Sequence, residues 1–195
     1  MRFPRLRLAS CLVLGAGGSA LASAGCGSEL SLFPPAFENR TDTLKIWAAS
    51  GTAVFRPSAF LISTRSTARV DQLSYFDFMY DITPAGEHVL LPFGAVAPTE
   101  RRSSGNPGLL PTAIPYDSIL IAEQTGYLTV DTLPVRVGDT FFARSRPSPT
   151  CFLGIPYYAK LRVIAMNEED RSLTFMVLAN INCGYRSLEP GLPEK

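Results

Sequence analysis

Histidine is almost missing from this chain: His88 is the only one among 195 residues. Any Ser-His-Asp or Cys-His scheme would have to use it, and no Gly-x-Ser-x-Gly stretch supplies a nucleophile. The Cys-x-x-Cys-His of haem attachment, a Cys/His cluster at zinc spacing and a phosphate-cradling glycine loop are absent too. No catalytic residue, metal or cofactor is therefore expected, and His88, beside a turn, reads as structural. An excess of charge of one sign is also lacking, since 18 basic residues face 17 acidic ones. Without Arg2, Arg5 and Arg7, which precede the apolar run described next, the formal charge of +1 becomes −2. That balance argues against nucleic acid and against a polybasic grip on anionic lipid.

Long hydrophobic runs are scarce as well. The longest, Leu8–Ala24, has 17 residues and contains Gly15, Gly17 and Gly18, whereas a spanning helix needs about 20 apolar residues. A basic start, a short apolar middle and small residues before a cut site are the layout of a secretory signal. Residues 1–25 are read as that signal, 26–41 as a tether containing Pro34-Pro35, and 42–195 as one domain.

Ser23-Ala24-Gly25-Cys26 resembles the bacterial lipoprotein export signal, with Ser23 where that family usually has Leu. The resemblance implies cleavage before Cys26, a lipid on its sulfur and a periplasmic protein held at a membrane. Gly27 and Ser28 follow, without the Asp that retains some family members at the inner membrane, which implies the outer one. The competing cut, after Ala22-Ser23-Ala24, would leave Cys26 second in the mature chain. Cysteine arithmetic bears on the choice. Cys11 leaves with the leader; a lipidated Cys26 then leaves Cys151 and Cys183 to pair, with no spare thiol in an oxidising compartment.

The rest of the chain reads as strands. Apolar residues make up 46% of it, and 16 prolines and 15 glycines spread along its length supply turns. Alternation marks Thr43–Ala48 and Tyr75–Ile82, the latter with its return His88–Phe93 after the Pro84-Ala85-Gly86 turn; Ala59–Thr64, Ser118–Ala122, Tyr127–Val130 and Thr140–Ser145 read as further strands. In Tyr75–Ile82, Phe76, Phe78, Tyr80 and Ile82 share one face, and Asp77 and Asp81 are expected to face water on the other. Tyr157–Met166 and Leu173–Ala179 form a hairpin in which partner numbers summing to 338 join Val163 to Phe175 and Leu161 to Val177. A slip of one residue would turn each apolar side chain outward. The same register carries Cys183 close to Cys151. About nine short strands and no amphipathic helix indicate an all-β, antiparallel β-sandwich of immunoglobulin-like architecture, with a barrel as the alternative.

Function is expected in an interface. The proline-rich stretch 97–116, centred on Arg101-Arg102, is a long excursion for a compact domain. Arg101, Arg102 and Tyr158, which lies opposite the Tyr157 face, are the candidate partner contacts. The expected role is a non-catalytic subunit bracing another envelope or membrane protein, in an electron-transfer, photosynthetic, secretion or surface assembly. The alternative is a small-ligand or glycan-binding module using 97–116.

Overall fold

The computed structural model describes residues 33–97, 105–151 and 154–193. They form an all-β sandwich of two antiparallel five-stranded sheets. The first sheet runs in the order β1 (Thr41–Trp47), β10 (Ser172–Asn180), β9 (Pro156–Asn167), β8 (Thr140–Pro147) and β6 (Gly108–Thr112). The second runs β3 (Ser66–Ala68), β2 (Ala59–Leu61), β4 (Phe78–Ile82), β5 (His88–Pro92) and β7 (Leu133–Pro134). The immunoglobulin likeness is one of architecture, two packed sheets.

Residues facing the gap between the sheets come from the apolar side of each alternating run. Ile46, Phe60, Tyr80, Leu161 and Phe175 are all essentially inaccessible. An aromatic trio ties the sheets together: Phe175 of the first sheet lies 5.5 Å from Phe60 and 5.9 Å from Phe78 of the second, edge to face. Such pairs add to the area they bury, about 0.5–1.5 kcal/mol each.

The β9–β10 hairpin takes the expected register from Phe175 to Asn180, with Val163 opposite Phe175 and Leu161 opposite Val177. A bulge between Thr174 and Phe175 then shifts the pairing, so that Leu173 meets Met166 and Thr174 meets Ala165. Beyond the bulge the faces exchange. Ala165, which the alternation of Tyr157–Met166 would turn to the same side as Leu161 and Val163, is exposed, and Met166 packs on the core instead.

Four further expectations are corrected. Residues 97–116 are not one solvated excursion, because Gly108–Thr112 is an edge strand paired with β8. Pro111 suits that place, since an edge position can do without a donor. Gly108 is needed there by close approach: a Cβ would come within 2.8 Å of Tyr127 Cβ. Ser118–Ala122 and Tyr127–Val130 are not strands; their backbone pairing is limited to isolated bridges, Ile121 to Ser187 beyond β10 and Leu128 to Leu109 of β6. They cover the outer face of the first sheet instead. There Tyr116, Ile119, Tyr127 and Leu188 pack on Phe142, Tyr158 and Leu178 as a second core. Finally, the described part of the expected tether is fastened to the domain, as set out below.

Candidate functional site

The two ends of the sandwich carry the features that could act on something else. They are set by β10, whose nine residues span roughly 25–30 Å. Asn182 follows one end of this strand, and the β9–β10 turn lies at the other.

At the first end Cys151 and Cys183 are bonded, with Cα atoms 5.3 Å apart. The bridge holds the segment after β10, and its neighbour Asn182, itself buried, grips the incoming chain. Asn182 Oδ1 accepts from the amides of Ala36 and Phe37 at 2.8 and 2.9 Å. Its Nδ2 donates to Phe37 O at 2.7 Å. The Tyr185 hydroxyl donates to Phe33 O at 2.9 Å. Residues 33–37, Phe-Pro-Pro-Ala-Phe, are thus pinned by their backbone while Phe33 and Phe37 remain 59% and 53% exposed. A cleft of about 380 Å³ opens beside them, lined by Phe33, Phe37, Tyr157, Ile181 and Tyr185 among others.

At the opposite end the 49–57 loop is fastened to the β9–β10 turn. Arg171 Nε donates to Ser50 O at 3.2 Å, and Arg56 reaches Asp170 O at 3.4 Å. Lys45 pairs with Asp170 at 2.8 Å. The cationic groups of Lys45 and Arg56 each lie 5.3 Å from the Trp47 ring centre. Val54 and Phe55, each 67% exposed, form the tip of this loop.

The lone histidine is engaged on both nitrogens. Nδ1 meets the Tyr80 hydroxyl at 2.5 Å, and Nε2 meets Glu168 Oε1 at 2.5 Å. Tyr80 and His88 belong to the second sheet and Glu168 to the hairpin turn of the first, so the ring clasps the sheets together. Burial, and next to it the Glu168 carboxylate, pushes the Tyr80 hydroxyl above the ordinary tyrosine range.

Asp77 corrects an expectation, for it does not face water: it is 2% exposed. The covering layer on the outer face of the second sheet comes from Phe93, Val70, Leu73, Tyr75 and Phe76; Phe76, expected on one face with Phe78, precedes the start of β4 and packs in this layer instead. Asp77 accepts from the Ile62 amide at 2.7 Å and from the Tyr75 hydroxyl. Burial pushes its carboxyl up to about 6, with the Tyr75 hydroxyl, the Ile62 amide and Arg146 pulling the other way. Asp81, partly exposed, accepts from the amide and hydroxyl of Ser50.

Among the candidate contacts, Tyr158 is buried at 9% exposure, its ring centre 6.4 Å from that of Tyr127. It belongs to the second core and is not available to a partner. Arg101, Arg102 and Cys26 lie outside the described residues. The guanidinium groups of Arg144 and Arg146 lie over the rings of Tyr127 and Tyr75. Lys160, which sequence alternation leaves on an outer face, is buried beneath the second core and donates to Ile119 O at 2.8 Å. Burial pulls its ammonium down. Among the described residues no three His, Cys, Asp or Glu side chains gather as metal ligands, and no helix is long and apolar enough to cross a membrane.

Sequence reasoning missed the Val54–Phe55 tip. Its signal was there, two bulky apolar residues after Gly51 and before Pro57, where a plain turn has no need of them. No protein-family model, curated protein or solved structure matches the chain.

Proposed function

We propose that this protein is an exported, non-catalytic lipoprotein, anchored through lipid on Cys26 and acting as an interaction subunit of an envelope or membrane assembly. The observation that carries the reading is the Val54–Phe55 tip. Two adjacent large apolar side chains, held out by a loop that is itself tied down, are costly to leave in water and mark docking surfaces. The neighbouring Trp47 and Arg56 are residue types that dominate binding energy at interfaces. The Cys151–Cys183 bond supports an oxidising compartment such as the periplasm. The clasp formed by His88 supports a structural role for the one residue that a nucleophilic scheme would need. Periplasmic subunits of electron-transfer, photosynthetic, secretion or surface complexes all fit this description, with the outer membrane as the proposed anchor site.

A photo-reactive residue at position 55, introduced in the native host, tests the reading. A discrete adduct with one other envelope protein, absent when the same residue replaces exposed Glu87, is the expected result. Equal or no adducts at both positions contradict it, as would turnover by the purified domain that His88→Ala abolishes.

A second reading, a small-ligand or glycan module, is favoured by one observation. A cleft of about 320 Å³ uses the end of the 97–116 stretch, where Thr112 and Tyr116 meet Asp117, Asp139 and Arg162. A thermal shift with a soluble glycan, lost in Arg162→Ala, would support that reading over the first.

A further inference from the structure

We infer that residues Phe33–Phe37 form a lipid-contacting platform that seats this end of the sandwich on the bilayer and turns the Val54–Phe55 end away from it. The inference rests on the proposed anchor at Cys26.

Three observations converge on a bilayer as the occupant. The first is composition. All five residues are apolar, and Phe33, Pro34, Ala36 and Phe37 are exposed. The second is support. The Asn182 and Tyr185 hydrogen bonds hold the backbone of the segment, and the Cys151–Cys183 bridge holds Asn182's neighbour. A segment whose only task was to span distance would need no such fixing. Here the main chain is satisfied by the domain and the side chains are presented outward. Leu192, 55% exposed, follows Gly191, which bridges Asn39, so a further apolar side chain emerges beside the platform.

The third observation is reach. Seven residue steps separate Cys26 from Phe33, and a fully extended chain covers at most about 25 Å in seven steps. A lipid at Cys26 therefore keeps this end close to the headgroups, whatever the rest of the domain does. Apolar rings at that depth enter the boundary between headgroups and acyl chains, where aromatic side chains are favoured. A protein partner on the same surface would have to work within that narrow gap. Trp47, by contrast, ends β1, ten residues beyond Phe37, which puts it roughly 20 Å or more farther along the sandwich.

Trp47 is the only tryptophan in the chain, and this makes the test internal. Full-length lipidated protein, purified from native membranes, is reconstituted into phosphatidylcholine–phosphatidylglycerol vesicles with plain or brominated acyl chains. Flotation is scored first, then tryptophan quenching. The native protein should float with its Trp47 emission unchanged by bromine. Phe37→Trp, and Phe33→Trp as an independent second reporter, should float and lose about half of the added emission, as expected for a side chain buried 5–10 Å into the interface. Flotation without quenching at either position overturns the platform and leaves the anchor standing. Quenching of native Trp47 also overturns the platform, because it places the opposite end in lipid. Failure to float overturns both.

Discussion

His88 Nε2 lies 2.5 Å from Glu168 Oε1, although His88 opens a strand of the second sheet and Glu168 sits in the hairpin turn of the first. The ring also stacks on Tyr80, with centres 5.9 Å apart and planes 20° from parallel. The two halves of the clasp should differ in weight. Glu168 is largely exposed, so Glu168→Gln should change stability by less than about 1 kcal/mol. His88→Ala removes the partner of the buried Tyr80 hydroxyl and should cost about 1–3 kcal/mol. Urea unfolding of both variants checks this, and equal losses would contradict it.

Cys151 and Cys183 close a loop with a sequence separation of 32 residues. On the chain-entropy account such a closure contributes about 3–4 kcal/mol. The double variant Cys151→Ser/Cys183→Ser should show a loss of that order in denaturant unfolding. Thiol labelling of the native exported protein should find neither sulfur free, and labelling of both without denaturant would refute the bond.

Asp77 should make the protein less stable as pH rises through the weakly acidic range. Its folded-state carboxyl is pushed up to about 6 by burial, while in the unfolded chain it releases its proton near 4. The unfolded state gains as pH climbs from about 4 to about 6, and the full penalty, on the order of 3 kcal/mol, stays in place above that. Asp77→Asn lacks the titration, so its stability relative to the native protein should improve across that window. The difference between the two curves isolates Asp77, because Asp71 and Asp170, held low mainly by Arg69 and Lys45, are common to both. Parallel curves for native protein and variant would contradict the assignment.

These residues also show how far the fold was legible. Alternation correctly placed Phe78, Tyr80 and Ile82, and Leu161 with Val177, toward the gap between the sheets. It could not say what lay over the other faces. Asp77 and Tyr158 both sat on the polar-looking or leftover side of their strands, and both proved buried. In each case irregular chain forms a third layer: residues 70–76 with Phe93 over one sheet, and residues 116–127 with Leu188 over the other. Such layers have no period, so pattern reading misses them. The Thr174/Phe175 bulge likewise inserts one residue without a glycine to announce it. Pro107 and Pro111 hid β6 by resembling loop residues, although an edge strand tolerates them. Residues 33–37 were visible as an apolar composition, but their fastening was not, because the Asn182 side chain that pins them comes from the far end of the chain.

Compartment, membrane attachment and the orientation of residues 33–37 all depend on the proposed lipid anchor at Cys26. Intact-mass analysis of the mature protein from native membranes tests it most directly. The prediction is a chain that begins at Cys26 and carries the added mass of a diacylglycerol, with or without a further acyl group on its amine. An unmodified amino terminus at Gly25 would contradict it.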